Sequence, residues 1–225
     1  MKPLVGPRKI SLKNKPDIKK GNPVISIDSV SHDIGTAKIF SNLSLCVNKN
    51  EKVLILGKSG LGKTSLFRLI LGFEQPGSGK IMVNGLSLDK DHVHQIRQQL
   101  FYLSQDIDLR NETILGLVTD IWEFNFDRDL CQEEINRQLT FLELSPGILQ
   151  KRTGKLSGGE RQRIGLLIGF LLDRPIWLLD EPTSALDDAM KKKIATHILS
   201  LDKTMVIISH DHCWQDSSVR IERWS

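Results

Sequence analysis

The sequence predicts an α/β fold with a mainly parallel sheet, and three features of the chain carry this prediction. Residues 158–209 alternate between apolar segments of helical length and of strand length. Strands separated by helices favour a parallel sheet covered on both faces. A glycine-rich loop lies between a strand pattern and a helix pattern at residues 51–71, and residues 106–155 show helical patterns. We expect a parallel core, an N-terminal antiparallel β subdomain and an inserted helical subdomain at about 106–157.

The individual elements follow from the periodicity of apolar residues along the chain. Polar–apolar alternation near the N-terminus predicts two partly exposed strands, and a continuous apolar run predicts a buried third strand. Helices are expected where apolar residues recur every three or four positions. The predicted strands are 24–31, 43–48, 51–56, 80–85, 100–104, 176–179 and 204–209, and the predicted helices are 63–71, 91–99, 130–142, 158–172 and 189–199.

The net charge of +4 originates in the N-terminal tail, residues 1–22. This tail has seven Lys or Arg residues against Asp17, a net of +6, so the remaining chain carries −2. The folded part therefore has no excess of positive charge for nucleic acid, and no nucleic-acid partner is expected. The polar tail lacks periodicity, which predicts a disordered extension, with attraction to anionic lipid headgroups as the alternative. The folded domain is expected at 23–225.

The cysteines and the hydropathy indicate the compartment. Three widely spaced cysteines without a C-x-x-C pattern predict neither a disulfide framework nor a zinc site. The N-terminus lacks the apolar core of a signal peptide. The longest apolar run, residues 164–172, is much shorter than the roughly 20 residues of a membrane span. We therefore expect a cytoplasmic chain that crosses no bilayer by itself.

A phosphate-binding loop is predicted at residues 57–64, which read Gly-Lys-Ser-Gly-Leu-Gly-Lys-Thr and fit G-x-x-x-x-G-K-[ST]. In such a loop the glycines let backbone N–H groups converge on phosphates, and the following helix adds its positive N-terminal end. Lys63 is expected to reach the β- and γ-phosphates, and the Thr64 hydroxyl to hold Mg²⁺. The predicted nucleotide-binding residues here are Gly57, Lys58, Ser59, Gly60, Leu61, Gly62, Lys63, Thr64 and Ser65.

Two carboxylates, Asp180 and Glu181, leave the carboxyl end of a predicted buried strand. In a doubly wound sheet this position lies beside the phosphate loop. Asp180 suits the metal, and Glu181 suits the attacking water, which it would polarise and orient in line with the γ-phosphate. The alternative is that both acids simply leave the strand for solvent before Pro182.

The pentapeptide Leu156-Ser-Gly-Gly-Glu160 lies between these two motifs, and with it the chain resembles the ATP-binding cassette (ABC) ATPases from about residue 23 to its C-terminus. The resemblance implies a P-loop NTPase core, ATP and Mg²⁺. It also implies that Ser157, Gly158, Gly159 and Glu160 face the γ-phosphate bound by a second copy of the chain. Independently, a Ser-Gly-Gly helix start offers free N–H donors to an anion, although a simple capped helix has the same pattern.

The resemblance extends to three further positions. Gln105 is similar to the family's glutamine that contacts the metal and the water, and His210 to its switch histidine at the γ-phosphate. Residues 184–187, which end at Asp187, resemble the loop that meets the partner subunit. Each has a plainer alternative: an exposed glutamine, a histidine at a strand end and a helix-capping loop.

The chain departs from the family pattern where the adenine is held. The family places an aromatic residue about two dozen positions before the phosphate loop, and residues 30–35 contain no Phe, Tyr or Trp. His32 is the substitute that we predict. The chain also ends fifteen residues after His210, so no C-terminal regulatory domain is expected.

These features predict the ATPase subunit of an ABC transporter, at the inner face of the cell membrane. Its expected partners are a second copy of itself and a separate integral membrane permease. Trp122, Phe124 and Phe126 are candidates for the permease docking groove, or for ordinary subdomain core. The chain also resembles small bacterial metal exporters, including iron exporters. The alternative function is a soluble ABC ATPase of an assembly system, such as iron–sulfur cluster biogenesis.

Overall fold

A computed structural model describes residues 23–224, so the predictions for the tail at 1–22 lie outside the described residues. The chain forms a four-stranded antiparallel sheet and a five-stranded parallel sheet. The strands are β1 (Ile25–Ile34), β2 (Ala37–Val47), β3 (Lys52–Gly57), β4 (Ser78–Val83), β5 (Leu86–Ser87), β6 (Leu100–Leu103), β7 (Ile176–Asp180), β8 (Thr204–Ile208) and β9 (Val219–Trp224). The predicted α/β fold class is confirmed.

Six α-helices lie between these strands in the described part of the chain. They are α1 (Lys63–Ile70), α2 (Val93–Arg97), α3 (Ile114–Asn125), α4 (Gln132–Phe141), α5 (Gly158–Leu172) and α6 (Asp188–Ser200). Short 3-10 turns occupy Pro146–Gln150, Thr153–Lys155 and His212–Trp214. Helix α5 has the predicted bounds, whereas α3 falls in a region where the sequence indicates only general helical character.

The parallel sheet has the order β6-β7-β8-β3-β9 and packs on both faces. Strands β7 and β8 are buried along their whole length. On β7, Trp177 and Leu179 belong to one hydrophobic core, with α3, α4, α5 and α6. The alternate residues Ile176 and Leu178 belong to a second core, with α1 and the antiparallel sheet. Burial on both faces explains why these strands read as nearly continuous apolar runs.

The antiparallel sheet has the order β2-β1-β4-β5, and its hairpin is longer than predicted because β2 already begins at Ala37. Two residues rather than one separate the buried Ile27 from the buried Val30 on β1. A bulge with Ser29 at φ 53° takes up the extra residue, so that Ile27 pairs with Leu45 and Val30 with Leu43. The bulge keeps the apolar residues on one face of the sheet. Without it, the extra residue would turn the following apolar side chains to the opposite face.

No strand is predicted for residues 219–224, yet β9 pairs in parallel with β3 at the edge of the sheet. Its residues Val-Arg-Ile-Glu-Arg-Trp include three charged side chains, as suits a half-exposed edge strand. Trp224 lies against the start of the phosphate loop, where its carbonyl oxygen is 3.0 Å from the position of a Cβ built on Gly57. The edge strand therefore leaves little space for a side chain at Gly57.

Helix α5 approaches β6 closely because two of its residues are glycines. A Cβ built on Gly169 would lie 2.4 Å from Cε1 of Phe101, and one on Gly165 would lie 2.5 Å from Cδ1 of Leu103. The Phe101 ring is buried and packs edge-on against Trp177, with ring centroids 4.8 Å apart. The ring therefore has little room to move away.

This close approach predicts that Gly169→Ala destabilises the protein. The clash should lower the free energy of unfolding by about 1–3 kcal/mol. The higher helix propensity of alanine, worth about 1 kcal/mol, opposes part of this loss. Gly147→Ala is the matched control, because its nearest neighbour would be 4.0 Å from the new Cβ. Urea unfolding should place the control within about 0.5 kcal/mol of the original chain. Equal stability of both variants would show that α5 can shift away from β6.

Candidate functional site

The phosphate loop connects the end of β3 to the start of α1, as predicted. Gly60 and Gly62 have φ angles of 81° and 77°, which residues with a side chain rarely adopt. A Cβ built on Gly62 would also lie 2.3 Å from Cγ2 of Ile39 on β2. Glycine at this position therefore satisfies both the turn and the contact with the antiparallel sheet.

Lys63 closes this loop from inside. Its Nζ donates to the carbonyl oxygens of Gly57 at 2.6 Å and Lys58 at 2.9 Å. Because an ammonium group has three donors, one remains for a phosphate oxygen. Burial lowers the pKa of Lys63, and the carboxylates of Glu181 and Asp180 raise it in part. The arrangement fits an anion, since the loop combines a buried cation with the N-terminal end of α1.

The end of β7 brings Asp180 to the start of α1. The Thr64 hydroxyl donates to Oδ2 of Asp180 at 2.7 Å. Asp180 is only 2% exposed, and burial raises its pKa, while the hydrogen bond from Thr64 opposes this effect. A hydroxyl and a carboxylate in contact are hard oxygen ligands of the kind that Mg²⁺ prefers. The two side chains therefore fit a Mg²⁺ ion that also binds a nucleotide phosphate.

Glu181 follows directly and has a left-handed backbone, with φ at 47°. Its N–H donates to the carbonyl oxygen of Ile208 at 2.8 Å. Its carboxylate accepts from the Ser209 hydroxyl at 3.1 Å and from the His210 N–H at 3.3 Å. The side chain remains 14% exposed. A carboxylate held at a strand end and open to solvent can accept a proton from water.

His210 lies beside Glu181, whereas Gln105 lines a cleft that neither of these two residues lines. The His210 ring is 60% exposed, and its Nε2 is 3.7 Å from Oε1 of Glu181. Gln105 is exposed at the end of β6 and lines a cleft of about 480 Å³ with Gly158 and Ser184. The structure thus places Gln105 between the strand end and the start of α5.

Ser157 and Glu160 form a capping box at the start of α5. The Ser157 hydroxyl accepts from the Glu160 N–H at 3.2 Å, and the Glu160 carboxylate accepts from the Ser157 N–H at 2.8 Å. Lys151 pairs with Glu160 at 2.8 Å, and their hydrogen bond lowers the pKa of Glu160. The plainer alternative, a capped helix, is thus present within the chain. Ser157 and Gly158 are nevertheless exposed, so they remain accessible to an anion.

The signature glycines face the loop at residues 184–187. A Cβ built on Gly158 would lie 3.6 Å from Cβ of Ala185, and one on Gly159 would lie 3.0 Å from the Ala185 carbonyl oxygen. Asp187 caps α6 by accepting from the Met190 N–H at 2.9 Å. Asp187 is exposed, so its capping role leaves it available at the surface.

His32 lies inside the fold and contacts an acid. It is 6% exposed, and its Nε2 is 2.8 Å from Oε2 of Glu74, which also pairs with Arg68. The neighbouring Ile34 is 48% exposed at the end of β1 and provides apolar surface there. Contact between His32 and adenine stays a prediction. In this structure the His32 ring contacts the carboxylate of Glu74.

The three aromatic residues near the end of α3 differ in exposure. Trp122 is 7% exposed, and its indole N–H donates to the carbonyl oxygen of Arg128 at 2.7 Å. Phe126 is half-buried and stacks on Trp122, with ring centroids 4.3 Å apart. Phe124 is 84% exposed. Trp122 thus belongs to a hydrophobic core and Phe126 packs against it, whereas Phe124 is free to contact a partner.

Two residues that the motifs do not single out support Glu181. Ser209 bonds its carboxylate, and the buried Gln162 donates from Nε2 to its carbonyl oxygen at 2.8 Å. Gln162 lies two residues after the signature and Ser209 lies one residue before His210. Their proximity to these motifs is the only feature of the sequence that points to Ser209 and Gln162, because their contacts with Glu181 arise only when the chain folds.

A polar network under the His210 loop fixes its backbone. Thr183 donates to Oδ2 of Asp211 at 2.8 Å, Lys191 pairs with its Oδ1 at 2.8 Å, and the Trp214 indole N–H donates to Thr183 at 3.0 Å. Burial alone would raise the pKa of Asp211, but the hydrogen bonds from Lys191 and Thr183 hold it below its usual value. The loop that carries His210 is therefore anchored by a charged group.

The fold and the geometry define a P-loop nucleotide-binding protein with two acids beside the phosphate loop. The chain matches the ABC transporter family over residues 40–184. It belongs to this family, which is a family of ATP-hydrolysing proteins. Among the described residues, none of the helices has the length and apolar character needed to cross a membrane.

Several curated relatives are similar to nearly the whole chain. A lactococcin-A transport/processing ATP-binding protein of Lactococcus lactis subsp. lactis is 34% identical over 88% of this chain and 28% of its own length. A probable ABC transporter ATP-binding/permease protein of Haemophilus influenzae is 36% identical over 83% of this chain and 35% of its own length. An ATP-dependent lipid A-core flippase of Desulfotalea psychrophila is 34% identical over 90% and 37%. The chain thus spans about a third of the length of these relatives.

Solved structures show the same fold. A dimeric ATP-binding cassette in a post-hydrolysis state, bound to ADP and Pi, is 25% identical, with a TM-score of 0.71 over 83% of this chain and 88% of that one. A bacterial Atm1-family ABC exporter with ATP bound is 24% identical, with a TM-score of 0.75 over 90% of this chain and 38% of that one. The second likeness concerns the fold alone.

The network under the His210 loop predicts a pH-dependent loss of stability in Asp211→Asn. Because the folded state lowers the pKa of Asp211, the ionised carboxylate stabilises the fold at pH values above the usual pKa of an Asp. This stabilisation is lost as the pH falls and the carboxylate is protonated. At pH 7 the variant should unfold with a free energy lower by about 1–3 kcal/mol. The difference should shrink towards pH 3.

Urea unfolding at several pH values measures this difference. The exposed Asp202→Asn is the control and should match the original chain at every pH. A constant gap between the original chain and Asp211→Asn from pH 7 to pH 3 would contradict a charge-dependent anchor.

Proposed function

We propose that the chain is the ATP-hydrolysing motor of an ABC transporter, active as a dimer of two such chains. The observation that carries the proposal is the convergence of Lys63, the Thr64–Asp180 pair and the Glu181 carboxylate at one edge of the parallel sheet. These groups supply a phosphate site, a metal site and an acceptor for a proton of water. The domain boundaries that we propose are 23–225, with a helical subdomain at 106–157.

Each step of hydrolysis has a residue in this arrangement. The backbone N–H groups of residues 57–65 and the third donor of Lys63 bind the β- and γ-phosphates. Thr64 and Asp180, with Gln105 as a third candidate, would hold Mg²⁺, which would neutralise phosphate charge. Glu181 orients the attacking water and accepts its proton, and His210 contacts the γ-phosphate. Positioning and electrostatics, more than covalent chemistry, supply the rate.

The second half of the site is supplied by another copy of the chain. The exposed start of α5 offers Ser157, Gly158 and Gly159 to an anion, and within its own chain it faces the loop at residues 184–187 rather than the phosphate loop. In our proposal this helix start, with Glu160 as its capping residue, meets the γ-phosphate bound by the other copy. Asp187 contacts the other copy next to it. Binding of ATP then closes the dimer, and hydrolysis reopens it.

Replacement of Glu181 tests the chemistry. Glu181→Gln keeps the side-chain shape but removes the proton acceptor, so kcat should fall by at least about a hundredfold. Affinity for ATP should change little, and an ATP-dependent dimer should accumulate, as measured by size-exclusion chromatography. Glu143→Gln is the control, because Glu143 is an exposed acid whose carboxylate pairs with Lys193. Turnover of Glu181→Gln at the original rate would exclude Glu181 as the base.

The partner that we propose is an integral membrane permease on a separate chain, which places this chain at the inner face of the cell membrane. The family and the relatives named for transport and for lipid A-core flipping support a transporter. Metal export, iron included, stays a prediction. An assembly ATPase of iron–sulfur cluster biogenesis has no support from these relatives.

Purification of the tagged chain from detergent-solubilised membranes tests the partner. A polytopic membrane protein should co-purify, and its loss in Phe124→Ala would identify the exposed ring as part of the docking surface. Phe73→Ala is the matched control, since Phe73 is also exposed, at 58%. Recovery of the chain only in a heteromeric complex without any membrane protein would contradict the transporter proposal.

A further inference from the structure

Gln162 is a buried polar residue in the first turns of α5, and both ends of its amide are bonded. It is 3% exposed. Its Nε2 donates to the carbonyl oxygen of Glu181 at 2.8 Å, and its Oε1 accepts from the Ala185 N–H at 2.9 Å. A buried amide with two such bonds is strongly oriented. The side chain therefore connects the signature helix to both Glu181 and the loop at residues 184–187.

The backbone of Glu181 needs this support. Its φ of 47° lies in the left-handed region, which residues with a side chain seldom adopt unless the surroundings hold them there. The bond from its N–H to the Ile208 carbonyl oxygen, at 2.8 Å, holds one side of the residue. On the other side, the carbonyl oxygen of Glu181 accepts from Gln162 at 2.8 Å and from the Ser184 N–H at the longer distance of 3.2 Å. Glu181 is thus fixed at both of its peptide groups.

The backbone conformation of Glu181 decides where its carboxylate points. In the left-handed conformation the carboxylate reaches the Ser209 hydroxyl and the His210 N–H, at 3.1 and 3.3 Å. Rotation to an ordinary φ would redirect the Cα–Cβ bond and take the carboxylate away from both donors. A side chain on α5 thus bonds directly to the residue that carries this carboxylate, just after β7.

We propose that Gln162 is a positioning residue for ATP hydrolysis, which holds the Glu181 carboxylate in its working direction through the Glu181 carbonyl group. This inference rests on the proposed role of Glu181. The same amide ties that direction to Ala185, whose carbonyl oxygen is 3.0 Å from a Cβ built on Gly159. One side chain thus joins the part of the chain that serves its own nucleotide to the part that serves the other copy's nucleotide.

Two variants separate the bonds of Gln162. Gln162→Met has a similar length and removes both of these bonds, together with the longer bond from Nε2 to the Ser184 hydroxyl at 3.4 Å. Gln162→Glu keeps an acceptor for the Ala185 N–H, but a carboxylate cannot donate to the Glu181 carbonyl oxygen. Gln132→Met is the matched control, because Gln132 is an exposed helical glutamine that bonds only to Asn136 among the described residues.

Steady-state kinetics and binding of a non-hydrolysable ATP analogue measure the effect. Both Gln162 variants should lose at least about tenfold in kcat, while KM and analogue affinity stay within about twofold. The control should match the original chain. Assays are run well below the unfolding midpoint of each variant, so that lost folding is not read as lost turnover. A kcat within about twofold of the original in both variants would overturn the proposal.

A double-mutant cycle distinguishes positioning from a general structural role. Single-turnover hydrolysis of labelled ATP is compared in Glu181→Gln and in the double variant Gln162→Met/Glu181→Gln. If Gln162 acts through the Glu181 carboxylate, its replacement should cost no further rate once that carboxylate is gone. An equal loss in both backgrounds would contradict the proposal. Original turnover in Glu181→Gln alone would instead refute the proposed function, so the two failures are distinguishable.

Discussion

The burial of parallel strands that end at one edge of the sheet is the constraint on which the site depends. Residues 176–179 of β7 and 205–208 of β8 are apolar and buried, so the polar groups at this edge of the sheet come only where the two strands end. Asp180 ends β7 and Glu181 follows it, Ser209 follows β8, and the phosphate loop begins at the end of β3. Because neighbouring parallel strands end together, these groups meet without any further structure.

This edge concentrates charge in a poorly solvated place. Lys63 and Asp180 are both nearly buried, and burial shifts the pKa of each towards its neutral form. The protein tolerates them because each has partners: two carbonyl oxygens for the ammonium and a hydroxyl for the carboxylate. A bound phosphate with its metal ion would supply further opposite charges on both sides. The protein thus bears the free-energy cost of burying these charged groups before any ligand binds.

The sequence predicts the parts of this site that depend on local chemistry. Gly60 and Gly62 supply the left-handed turns of the phosphate loop, and β7 is a continuous apolar run, so both can be recognised without a structure. The bulge at Ser29, the edge strand β9 and the hydrogen bonds of Gln162 depend on residues far away in the chain, and no local pattern specifies them. The capping box at Ser157 lies between these cases, because one pattern serves both a helix end and an anion site.

The central claim is that a complete site needs two copies of the chain. It is tested most directly by specific ATPase activity measured against protein concentration, with sedimentation to follow the dimer and Ser157→Arg as the comparison. The account predicts that the specific activity of the original chain rises as dimers form, while Ser157→Arg, with bulk at the γ-phosphate of the other copy, stays at the low monomer level. The same specific activity at every concentration, or Ser157→Arg equal to the original chain, would contradict it.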